Sequence, residues 1–115
     1  MKLTGKCKEE FEKWFSEEQV FDLGDIYNGF YGMGYNCQYG VYVDYFDSVG
    51  INVDLQPVYN YTKENYSSVV YFIINVIELG KLDDNYKLIE EKNRLESRTT
   101  AIEKADELRN KFLNK

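Results

Sequence analysis

Asp44 and Asp47 stand three residues apart among Tyr42, Tyr45 and Phe46. Two carboxylates beside aromatic rings are the minimum that glycoside hydrolysis requires, one to donate a proton and one to attack or activate water. Most of the twenty acids fall on expected helix exteriors, this pair is the one to consider, and the reading that fits Asp44 and Asp47 better is solvated surface charge. Nucleophilic triads built on histidine are excluded, because the chain contains none. Cys7 and Cys37 are too few for a thiolate metal cage without histidine to complete it. Asp83 and Asp84 lack the ligand spacing of a calcium loop. The glycines of GFYGMG at 29–34 are not followed by the Lys-Ser/Thr of a phosphate loop. The expectation is therefore a protein that is not an enzyme and carries no cofactor or metal.

The elements that position these residues follow from periodicity. Leu3, Cys7, Phe11, Trp14 and Phe15 recur at helical spacing, so 4–16 reads as an amphipathic helix with Thr4 as N-cap and an apolar stripe turned to the core. Cys7 lies on that stripe and should be a buried, unreactive thiol. From 17 to 36 four glycines oppose a regular helix, each by about 1 kcal/mol relative to alanine. This stretch should be irregular, with short helical turns. Residues 38–49 support a helix ending at Gly50, with Tyr39, Tyr42, Val43, Phe46 and Val49 on one face, or a strand through Val41, Val43 and Tyr45.

Ile51, Val53 and Leu55 alternate with Asn52, Asp54 and Gln56, as in a half-buried strand, and Pro57 assigns its end to a sheet edge or a bulge. Residues 68–79 form a second, β-branched strand and complete an antiparallel hairpin. Residues 81–96 are either a third strand near Tyr86–Ile89 or the first turns of a long helix. Residues 97–113 read as a helix capped by Ser97, with Ala101, Ile102, Ala105, Leu108 and Phe112 on its inner face. The expected fold is a single α+β domain over 1–115: a two- or three-stranded antiparallel sheet covered by an N-terminal and a C-terminal helix, with an irregular aromatic and glycine-rich segment.

The net charge of −6 is uneven, at −5 over residues 1–50, −2 over 51–80 and +1 over 81–115. An acidic chain repels phosphate at long range, which argues against direct nucleic-acid binding. The first fifteen residues lack the apolar core of a secretory signal, and no apolar run is long enough to span a bilayer, so a reduced, cytoplasmic setting is expected. Eleven tyrosines are concentrated between 27 and 86. Those at 27–36 fall where the glycines deny regular packing. Tyr27, Phe30, Tyr31 and Tyr35, with Asp22 and Asp25 as an acidic rim, are the candidate partner-binding residues.

Three blocks, LTGKCKEEFEKWF at 3–15, QYGVYVDYFDSVGI at 38–51 and SRTTAIEKADELRNKF at 97–112, resemble blocks found in small uncharacterised phage and prophage proteins. They stand in the same order there and cover a little over a third of this chain. The resemblance implies a small α+β protein made inside an infected bacterium, and carries no catalytic residue with it. It implies a module that binds a host protein, a nucleic-acid-binding defence complex being the form in which an acidic rim would suit a basic groove. Two alternatives come from other classes. The order helix, three strands, helix is that of double-stranded-RNA-binding domains, although Arg98 stands there without the lysine cluster such a domain needs. A self-associating protein, a homodimer for instance, would use the aromatic patch on itself.

Overall fold

Carboxylate, amide and hydroxyl groups fix where the first helix begins. In the computed structural model, which describes residues 1–18, 29–61, 67–78, 86–91 and 94–115, helix α1 spans Gly5–Glu18 and helix α3 spans Arg94–Leu113. Thr4 holds the N-cap position, its carbonyl accepting from the amide of Lys8. Its hydroxyl, however, is turned away from its own helix and donates to Asp106 Oδ2 of α3 at 2.7 Å, while its amide donates to Asp106 Oδ1 at 2.9 Å. The free amide of Cys7 in the first turn of α1 donates instead to Asn110 Oδ1 at 2.9 Å. Asn110 returns its Nδ2 to the carbonyl and hydroxyl oxygens of Thr4. One helix is thus capped by side chains four residues apart on another. The Asp106 carboxylate is buried against the positive end of α1, where the helix dipole favours a negative charge.

Gly5 completes this junction. Its φ of 54° is left-handed, and a Cβ there would lie 3.0 Å from Asn110 Oδ1. Conformation and space both select glycine.

The rest of the chain forms helix α2 (Tyr35–Ser48) and strands β1 (Ile51–Tyr61), β2 (Ser67–Glu78) and β3 (Tyr86–Glu91). Among the described residues the order is α1, α2, β1, β2, β3, α3, with α2 inserted before the three strands. Both pairings are antiparallel and the strand order is β1-β2-β3. Val53 faces Val76 and Leu55 faces Ile74. Ile51, Val53, Ile74 and Val76 are buried, whereas Asn52, Asp54 and Gln56 are exposed, as their alternation predicts. β1 is an edge strand, and the register shifts just after Pro57, between Val58 and Tyr59. Both readings of 81–96 are realised in part: β3 ends at Glu91 and α3 begins at Arg94.

The sequence 38–50 resolves as a helix closed by Gly50, which has a φ of 83° and donates its amide hydrogen to the carbonyl of Asp47. α2 lies against β1, α3 lies against all three strands, and α1 packs on α2 and α3. The buried face of α2 is Gln38, Tyr42, Tyr45 and Phe46. Tyr39, Val43 and Val49 are only half-buried, so the inner stripe is rotated by about one position from the expected one.

Two expectations for α3 change. Ser97 is not a cap; the helix starts three residues earlier, and Ser97 is fully buried inside it. Ala101 and Ala105 are fully buried beside it, small side chains that allow close approach of α3. Phe112 stays 54 % exposed near the helix end, with the Arg109 guanidinium 4.9 Å from its ring centre.

Replacing Asp106 by Ala should destabilise the fold by about 2 kcal/mol, because the Thr4 amide and hydroxyl both lose the acceptor to which they donate. Thr4→Val added to Asp106→Ala should cost much less than the sum of the two single changes, as read from urea midpoints. Additive losses would show that the two groups act independently.

Candidate partner-binding groove

Rings at 5–6 Å spacing build the wall on which the candidate residues sit. Phe11 is the hub. Its centroid lies 4.8 Å from Phe30, 4.9 Å from Tyr42 and 5.3 Å from Tyr45, with Phe15 and Trp14 about it as well. Tilted and edge-on pairs of this kind stabilise beyond the area they bury. Phe30 is therefore fully buried and cannot serve as a surface anchor, which corrects the expectation drawn from the glycine-rich context. Although 29–34 is irregular, its one phenylalanine plugs a gap between α1 and α2.

The turn that follows Phe30 is pinned from below. The amide of Met33 donates to the carbonyl of Phe30, and Gly34 begins α2 in an extended conformation. Gln38 is buried on the inner face of α2, and its Nε2 donates to the carbonyl of Met33 at 2.9 Å and reaches those of Phe30 and Tyr31 at 3.4 Å. Three carbonyls that no regular element serves thus converge on one amide.

Tyr31 and Tyr35 flank the turn. Tyr31 is half-buried and donates its hydroxyl to Glu12 Oε1 at 3.1 Å. Tyr35, the first residue of α2, is 60 % exposed. Both line a groove of about 410 Å³ together with Met1, Lys2, Leu3, Lys8 and Gln38. Tyr27, Asp22 and Asp25 lie outside the described residues. The sequence pattern therefore located two of the groove's rings and missed its other half. Lys2 and Leu3 precede α1 and Lys8 lies in its first turn, so all three are placed by the Thr4–Asp106–Asn110 junction that holds the start of that helix. Gln38 did carry a signal, as a polar residue four positions before Tyr42 on the apolar face. The charged side chains lining the groove are lysines, not acids.

Behind this wall a polar chain joins the three helices. Arg109 of α3 grips Glu10 of α1 with two bonds, Nε to Oε1 at 2.8 Å and Nη2 to Oε2 at 2.9 Å. Tyr45 of α2 donates its hydroxyl to the same Oε1 at 2.7 Å, and that hydroxyl lies 3.8 Å from Cys7 Sγ. The bidentate Arg109 contact, helped by the Tyr45 hydroxyl, holds the Glu10 carboxyl below the usual carboxylate range, although partial burial opposes this. Burial pushes the Cys7 thiol up to about 12, so it is an inert core group, as its place on the stripe implies; Cys37 is exposed, and both thiols are free. Tyr42 is fully buried, and its hydroxyl has no hydrogen-bond partner among the described residues; burial raises its pKa.

Arg98 does not project from α3 as a phosphate contact would. Its Nη1 donates to Asn36 Oδ1, and its guanidinium lies 5.1 Å from the centre of the Tyr39 ring. Asp44 and Asp47 are both exposed on α2. Asp83 and Asp84 lie outside the described residues. Among the described residues no three His, Cys, Asp or Glu side chains gather as a metal site, and no helix is long and apolar enough to cross a membrane.

No protein-family model, curated protein or solved structure matches the chain.

A carboxylate with a depressed folded-state pKa contributes stability above its unfolded pKa and loses it as the pH falls through the folded value. Glu10 should therefore support the fold at neutral pH and cease to do so in acid. Glu10→Gln should cost about 1 kcal/mol at neutral pH, a modest figure because both partners keep a wet side. The difference between variant and parent should shrink as urea midpoints are followed down to about pH 3. A difference independent of pH would assign the loss to packing.

Proposed function

We propose that this chain is a protein-binding module of phage type that acts by occupying a host protein in an infected bacterium, in its specific form as an inhibitor of a host defence complex. The observation that carries the binding role is Tyr35. It is a large amphipathic ring, 60 % exposed, at the first residue of a helix whose start is held by the Gln38-pinned turn. Tyrosine on a rigid support is the side chain that most often anchors a protein interface, since ordering its two torsions costs little. The groove beside it supplies a concave surface with Leu3 and Met1 as apolar contacts. The three phage-like sequence blocks support the cellular setting; two of them overlap α1 and α2 and include Leu3, Lys8 and Gln38 of the groove, while Tyr31 and Tyr35 lie outside them.

The expected acidic rim of Asp22 and Asp25 lies outside the described residues, so the reading rests on the groove rather than on mimicry of nucleic acid. Retention of a bacterial protein from lysate on the immobilised chain tests it. Tyr35→Ala should weaken that retention by about 1 kcal/mol or more, roughly fivefold in affinity. The substitution touches an exposed ring, so the fold should melt as before. Retention that ignores the Tyr35 change, or no retained protein at all, would count against the reading.

A further inference from the structure

We propose that the groove between the start of α1 and the Phe30–Tyr35 turn takes an acidic, extended peptide segment, with an apolar or aromatic side chain set between carboxylates. The inference rests on the protein-binding reading and adds the chemistry of the partner. The groove's apolar lining, Met1, Leu3 and the rings of Tyr31 and Tyr35, is bounded by Lys2 and Lys8. Both lysines are exposed, and neither ammonium has an ion-pair partner among the described residues. The nearby carboxylate, Glu12, is engaged by the Tyr31 hydroxyl. In a chain of net charge −6, these two cations beside Tyr35, the most exposed tyrosine among the described residues, form a local reversal of sign.

A peptide carrying two or three carboxylates fits that reversal better than a nucleic acid does. At physiological salt, charge is screened beyond about 8 Å, so a short acidic segment feels chiefly the two ammonium groups it touches. A phosphate chain would extend past them over the acidic remainder of the surface, and its affinity depends on many cations neutralising many phosphates. The volume of about 410 Å³ accommodates one large side chain with its flanking backbone.

Panning a random short-peptide display library on the intact protein tests the assignment. The enriched peptides should carry acidic residues on both sides of an aromatic or apolar one. Lys8→Glu and Lys2→Glu should each weaken the selected peptide by roughly tenfold in fluorescence polarisation. Lys13→Glu, the same charge change on an exposed position of α1 outside the groove, should leave affinity nearly unaltered. An enriched set without acidic bias, no enrichment, or equal losses for Lys8→Glu and Lys13→Glu would overturn the proposal. Tighter binding of an oligothymidylate that the same two changes abolish would replace it with single-stranded nucleic acid. A dimer in sedimentation that Lys8→Glu dissolves would replace it with a second copy of the chain. If Tyr35→Ala weakens lysate retention while acidic peptides fail to bind, the binding module stands and the acidic specificity falls.

Discussion

The buried Asp106 carboxylate against the start of α1 is the interaction on which the remaining structure depends. A helix start has amides with no partner in their own helix, and burying it uncapped is costly. Here the cap arrives from a helix about one hundred positions later, through Asp106 and Asn110. Because the donors and acceptors are directional, the contact sets the axial position and rotation of α1 on α3 together. A second clamp, Glu10 with Arg109, lies further along α1 and resists pivoting about the first. With α1 fixed at both points, Phe11 is delivered to the centre of the aromatic cluster, and Lys2, Leu3 and Lys8 arrive opposite Tyr31 and Tyr35.

The aromatic cluster explains why so many tyrosines stand where phenylalanine would bury more easily. Tyr45 uses its hydroxyl to join Glu10, so a core ring also reports the position of the Arg109 clamp. Tyr31 uses its own to hold Glu12, which tethers the turn after Phe30 to the middle of α1. Tyr42 gains nothing comparable, since its buried hydroxyl meets no hydrogen-bond partner among the described residues. The groove is thus an outcome of core construction: the same polar tips that fasten α1 to α2 leave Tyr35, one turn before Tyr39, with no core to enter.

Much of the fold was legible in the sequence because periodicity reads burial directly. The α1 stripe, the alternation of Ile51, Val53 and Leu55, the end of α2 at Gly50 and the α+β class follow from local spacing. What local spacing could not show were contacts made at a distance. Thr4 looks like a self-sufficient cap, and nothing near it indicates that its hydroxyl belongs to Asp106. Ser97 looks like a cap because the helical pattern weakens before it, yet Arg94–Glu96 form the first turn. Phe30 lies in a glycine-rich stretch that argues for exposure, but one ring from an irregular segment was needed to close the cluster. For the site, the pattern found Tyr31 and Tyr35, and an overall charge count hid the two lysines that define the groove's sign.

If the cross-helix cap organises the molecule, the amides it engages must behave unlike those of an ordinary helix start. First-turn amides normally exchange quickly with solvent, since no carbonyl within the helix protects them. Hydrogen exchange at the amides of Thr4 and Cys7 measures this directly. Protection close to that of the core strands, lost at Thr4 in Asp106→Ala and at Cys7 in Asn110→Ala, is the result this account predicts. Fast exchange at both positions in the parent protein would contradict it.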